Sequence, residues 1–152
     1  MRLRRIPAEV QDLAGDQRVL AWAAVDDGWV VTTHDRLLLP GREPLGWQDV
    51  VRAAWDAPVL EVQVPGGLVR VVLDAPGNIP EVVNERVKAS VLVQQHVALI
   101  GDRGVRLVAR RKPGDTAIMW RVTFDAGVDA NDPAVRAAAD DALAELRASL
   151  GL

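Results

Sequence analysis

Turn signals recur densely between residues 18 and 78, the pattern of many short strands. Asp26-Asp27-Gly28, His34-Asp35, Pro40-Gly41, Pro65-Gly66-Gly67 and Pro76-Gly77-Asn78 cut this stretch into short apolar runs. Glycine reaches positive φ without steric cost and proline pre-sets its φ, so such steps favour tight turns. The cleanest run is VLEVQV, residues 59–64. It places Leu60, Val62 and Val64 on one side and Glu61 and Gln63 on the other, the period of a half-buried strand. Residues 18–25, 29–33, 36–39, 46–56, 59–64 and 68–75 therefore read as six short strands of an antiparallel barrel or sandwich. The run at 46–56 is the least regular, but Val51, Ala53 and Trp55 alternate with Val50, Arg52 and Ala54.

Helical patterns flank this region. Residues 7–17 read as a short helix with Pro7 near its start and Ala14-Gly15 at its end. Residues 78–90 read as another, with Asn78 as N-cap and Ile79, Val83 and Val87 facing the core. Residues 90–100 could extend that helix, but their β-branched content and the GDRG turn after them favour a strand. Residues 105–112 and 117–124 read as a hairpin around Pro113-Gly114-Asp115, with Ile118, Trp120, Val122 and Phe124 on its dry face. Asp132 and Pro133 suit the N-cap and first position of a last helix, 133–149. Its stripe of Val135, Ala139, Ala142, Leu143, Leu146 and Leu150 should cover the hairpin.

The expected fold class is α+β. Residues 1–89 form an antiparallel barrel or sandwich closed by a helix, and residues 90–152 form a β-β-β-α extension packed on it as one compact unit. A chain of 152 residues is long enough to bury such a core without disulfides.

Composition narrows the function classes. The chain has no cysteine, which excludes thiol catalysis and thiolate metal sites. A net charge of −3 argues against broad nucleic-acid binding. The basic start MRLRRIPAEV lacks the apolar core of a signal peptide, and no run is long enough for a membrane span, so a cytoplasmic location is expected.

The segment GWVVTTHDRLLL, a strand, a Thr-Thr-x-x-Arg turn and a second strand, is followed by LGWQDVVRAAWD. Over roughly residues 10–90 these features resemble the bacterial pleckstrin-homology-like (PH-like) and GRAM-like modules. The resemblance implies a bent antiparallel barrel or sandwich with a helix closing one end. Such modules usually have seven strands before the helix, where the pattern here gives six, and they lack the β-β-β-α extension. Family members bind lipids, peptides or other domains. No lipid-binding signature is present, so no ligand residue carries over.

Each candidate for chemistry has a plain structural competitor. His34-Asp35 is best read as a hairpin corner, because Asp and His tolerate φ > 0 and only one further histidine, His96, is available to complete a metal shell. The aspartate-rich loop Asp125, Asp129, Asn131 and Asp132 could suggest calcium, but an EF-hand beginning at Asp129 fails, with Ala134 and Asp140 at its sixth and twelfth positions, and loop and helix capping account for these residues. Ser90 and Ser149 lie in no nucleophile motif.

The feature most worth following is basic. Parity puts Arg106, Arg110 and Arg121 on the wet face of the hairpin, and His96 joins them if strand 90–100 pairs alongside. Such a face suits phosphate or carboxylate groups. Trp120 falls on the opposite face, which weakens a base-stacking role.

The expected function is a non-enzymatic binding or scaffold module for a protein partner, without cofactor or metal. The alternative is recognition of an anionic small ligand or membrane headgroup through the arginine face. An enzyme would need a deep pocket holding His96 with a carboxylate in hydrogen-bond reach. The stripe of the last helix could serve a homodimer, although covering the hairpin is its favoured use.

Overall fold

The structure, a computed structural model, describes residues 5–152. The fold is mixed α+β, and among the described residues it has three antiparallel sheets and three α-helices and no closed barrel. It divides into two compact units, one running to Ser90 and including Lys112–Thr116, the other formed by Val91–Arg111 and Ala117–Leu152.

The N-terminal unit opens with α1 (Ala8–Ala14), which ends at Gly15, where a positive φ of 65° lets the N–H turn back to the carbonyls of Gln11 and Asp12. A four-stranded meander follows: β1 (Val19–Val25), β2 (Gly28–Thr33), β3 (Arg36–Leu38) and β4 (Leu45–Gly46). A second meander contains β5 (Arg52–Asp56), β6 (Val59–Val64) and β7 (Gly67–Val72). The helix α2 (Ile79–Ala89) ends the unit.

One core joins these parts. Ala21, Val30 and Leu37 of the first sheet, Leu60 and Val62 of the second, and Val83 of α2 belong to the same buried cluster. The other face of the first sheet is also covered. There Val19 and Val31 pack with Val10 and Ala14 of α1. This double cover explains why β2 is apolar on both faces.

Seven strands precede α2, not six. The expected strand at 46–56 is broken into β4, a 3₁₀ turn at Trp47–Asp49, and β5. The break has a tertiary cause. Trp47 turns inward until 1% of it is exposed, and its Nε1 donates to the Thr33 carbonyl at 2.9 Å. A pleated strand through Trp47 would forfeit that bond and the burial of the largest core side chain. Asn78 sits at the N-cap of α2 but makes no side-chain capping bond.

The C-terminal unit is simpler. Strands β8 (Val91–Ile100), β9 (Arg103–Arg111) and β10 (Ile118–Phe124) form an antiparallel sheet with β9 in the middle. The helix α3 (Pro133–Leu150) starts as expected, with the Asp132 side chain accepting from the Ala134 N–H at 2.9 Å. Its Ala139 and Leu146 pack with Val105 and Leu107, with Trp120, Val122 and Phe124 at the cluster's margin. Leu150 departs from the expected stripe. It is 43% exposed at the end of the helix, one residue before the chain turns at Gly151.

Candidate functional sites

The register of the C-terminal sheet brings the four basic candidates onto one face. Arg106 pairs with Thr123 on one side and His96 on the other; Val108 pairs with Arg121 and Gln94; Arg110 pairs with Met119 and Val91. Residues directly opposite in an antiparallel pair share a face, so Arg106, Arg110, Arg121 and His96 project together, away from Trp120. The four are not equally available. Arg106 is exposed and Arg121 half-buried, whereas only 8% of Arg110 is exposed and its side chain is engaged. The expectation of a uniformly wet face thus fails at Arg110. Period two assigns a side to each residue but not what covers that side.

His96 is engaged as well. Its Nε2 lies 2.7 Å from Asp125 Oδ2, and the same oxygen accepts the Gly104 N–H at 2.7 Å. Asp125 follows β10 directly and extends the ladder, its own N–H donating to the Gly104 carbonyl at 2.9 Å. Gly104 contributes no side chain between β8 and β10, so His96 can reach across β9. The approach is close, since a Cβ on Gly104 would stand 1.9 Å from the Val97 carbonyl oxygen. The hydrogen bond from His96, and then that from the Gly104 N–H, holds the Asp125 carboxyl below its ordinary value. Burial opposes this, and the charges of His96 and Arg106 add to the lowering.

From sequence Asp125 reads as part of an aspartate-rich loop that fails as a calcium site, and its pairing with His96 is not foreseen. The only available signal was the three-strand register, which sets position 125 opposite 104 and diagonal to 96.

His34-Asp35 is a corner, but not for the expected reason. Among the described residues, none other than glycine has positive φ. The Thr33 hydroxyl accepts the Arg36 N–H at 3.1 Å across the two-residue loop and donates to Gln17 Oε1, so Thr33 holds the turn. His34 Nδ1 lies 3.0 Å from Asp35 Oδ1, with 65% of the His34 side chain exposed. Among the described residues, no three metal-ligating side chains gather at one place.

The N-terminal unit also carries an open cleft of about 720 Å³ between α1, the β1–β2 turn and the segment after β3. Trp29, Leu13, Leu38, Pro40 and Pro44 supply its apolar lining, and Leu13 is 53% exposed. The Trp29 Nε1 donates to Glu9 Oε2 at 2.9 Å, which ties the indole to α1 across 20 positions of sequence. Sequence reasoning missed this cleft, because no local pattern pairs residue 9 with residue 29.

Among the described residues, no helix is long and apolar enough to cross a membrane. In comparisons with known proteins, the chain matches no family model, no curated protein and no solved structure at a significant level.

Proposed function

We propose that the chain is a cytoplasmic, non-enzymatic recognition module whose N-terminal unit is PH-like and binds a segment of a protein partner. Four strands, then three, in two antiparallel sheets followed by α2 support the PH-like reading, because seven strands and a closing helix are what the resemblance implies. Fold analogy alone does not assign a function. The observation that carries the binding reading is the Trp29 cleft. Its volume falls in the range of ligand-binding clefts, and its lining combines an aromatic ring, exposed leucine and proline with a few polar groups.

Two other readings are weaker on the same geometry. The His96–Asp125 pair supplies the hydrogen-bonded base that an enzyme would use, but the two side chains are 41% and 32% exposed. Catalytic acid–base pairs gain strength where water is excluded. Recognition of an anionic ligand or headgroup would rest on Arg106 and Arg121, since Arg110 is buried and His96 is bound to Asp125.

A displayed library of random heptapeptides, panned against the full chain, tests the proposal. Enriched sequences that lose binding to a Trp29→Leu variant support it. Failure to enrich any Trp29-dependent sequence overturns it. Binding to phosphatidylserine vesicles or pyrophosphate that disappears in an Arg106→Gln/Arg121→Gln variant would favour the anionic reading instead.

A further inference from the structure

Three carboxylates ring the cleft proposed above as a peptide site: Glu9 and Asp12 from α1, and Asp27 from the β1–β2 turn. Glu9 and Asp12 are three positions apart on a helix and so lie on neighbouring rows of one side. Among the described residues, Arg42 is the one cation of the lining. Asp12, Asp27 and Arg42 make no ion pair among the described residues. Glu9 is already oriented, one of its oxygens held by the Trp29 indole N–H.

This arrangement selects by charge. Among the described residues three carboxylates face one guanidinium, an excess that disfavours an anion. A purely apolar ligand would strip water from the carboxylates without replacing it. A long cationic side chain satisfies both halves of the site, because its methylene stem covers apolar surface while its head stays among polar partners. An indole adds a face that attracts cations.

We propose that the cleft receives an arginine or lysine side chain of a partner polypeptide. The stem lies against Trp29 and Leu13 and the charged head among Glu9, Asp12 and Asp27, with apolar neighbours of the basic residue on the wall formed by Leu38 and Pro40. This inference rests on the peptide-site reading. Its occupant is a polypeptide and not a free cation because the cleft has a continuation. Asp27, Leu39 and Pro40 also border a second hollow of about 200 Å³ that runs along Val69–Val72 of β7. β7 is an edge strand, paired only with β6, and Val72 there is 53% exposed. A segment leaving the cleft meets a second hollow, where valines stand beside Asp26, Asp27 and Arg70, and a strand edge.

The test uses the same heptapeptide library on the wild-type chain, with an Asp12→Asn/Asp27→Asn variant and an Arg42→Glu variant for comparison. The expected result is enrichment of arginine or lysine beside leucine, proline or aromatic residues. A synthetic peptide of that sequence should bind the Asp12→Asn/Asp27→Asn variant about fivefold more weakly, the size expected for two exposed charge contacts. It should bind the Arg42→Glu variant more tightly, and both differences should shrink in high salt. Because the replaced side chains are exposed and the second variant predicts a gain, misfolding cannot imitate the result. Trp29-dependent sequences lacking a basic residue would overturn this inference and leave the peptide site standing, as would a basic peptide indifferent to all three substitutions. Spermidine or argininamide binding as tightly as the peptide would overturn the choice of a polypeptide. No Trp29-dependent enrichment at all would remove the peptide site itself.

Discussion

His96 Nε2 and Asp125 Oδ2 lie 2.7 Å apart, a hydrogen bond that ties one edge strand of the C-terminal sheet to the residue leaving the other edge strand. Because the same carboxylate oxygen also takes the Gly104 N–H, one side chain links all three strands.

The linkage has a pH signature. Asp125 has its carboxyl pKa lowered from an ordinary 3.8, chiefly by His96 and then by the Gly104 N–H. A group whose pKa is lower folded than unfolded adds stability above the unfolded value and loses it as pH falls through the folded value. Asp125→Asn should therefore unfold at lower urea than wild type at neutral pH, with the gap closing as the pH falls below 3.8. His96→Ala should raise the Asp125 titration midpoint, read from its carboxyl ¹³C shift. Identical urea midpoints for wild type and Asp125→Asn at every pH would refute the linkage.

Gly104→Ala tests the close approach at the centre of that link. The new methyl group would meet the Val97 carbonyl at 1.9 Å and the Leu99 nitrogen at 2.8 Å, both backbone atoms that cannot rotate away. The β8–β9 pairing must then shift. We expect a loss of about 3 kcal/mol or more, the scale reserved for forced overpacking, with early hydrogen exchange in 91–100.

The Thr33 corner separates two explanations of the same turn. If the hydroxyl holds the loop, Thr33→Val should cost about 1–3 kcal/mol, because Thr33 is 1% exposed and the Arg36 N–H loses its partner. His34→Ala should stay within about 0.5 kcal/mol of wild type, as an exposed substitution with little to lose. Chemical denaturation of both variants decides. A larger effect at His34 than at Thr33 would return the corner to the histidine.

Comparison of the two units shows why some of this was readable in sequence and some was not. In β10 the exposed Met119 and Thr123 alternate with the partly buried Ile118, Trp120, Val122 and Phe124, so alternation alone placed Arg121 and Trp120 on opposite sides, with Arg106 opposite Thr123. The Asp132 cap and the start of α3 were equally local. In β1 and β2 both faces are covered, one by the main core and one by α1, so alternation carried no information. The break at Trp47 depends on a carbonyl 14 positions away, and the Trp29 cleft on a carboxylate 20 positions away. Arg110, at 8% exposed, is likewise buried on a face that alternation alone read as wet.

Trp47 gives the most direct measure of such a tertiary contact. Trp47→Phe keeps an aromatic ring but removes the indole N–H that the buried Thr33 carbonyl accepts, and it leaves a void where Trp47 was 1% exposed. We expect a loss of about 2–4 kcal/mol from the cavity and the unpartnered carbonyl together. The urea m-value should not change if the unfolded state is unaffected.

Leu146 and Leu150 occupy one stripe in sequence but not in the folded protein. Leu146 is 9% exposed and packs in the cluster with Val105 and Leu107, whereas Leu150 is 43% exposed beside the last turn of α3. Truncation of a buried leucine removes both transfer free energy and packing contacts, and leaves a cavity. Leu146→Ala should therefore cost about 2–4 kcal/mol, and Leu150→Ala less than about 1 kcal/mol. The same pair tests whether the end of α3 serves association. If Leu150 seats in a second copy of the chain, Leu150→Ala should lower the molar mass measured by light scattering while leaving the urea midpoint at low protein concentration unchanged. If α3 acts only as a cover for its own sheet, the molar mass stays that of wild type, and only Leu146→Ala lowers the midpoint appreciably.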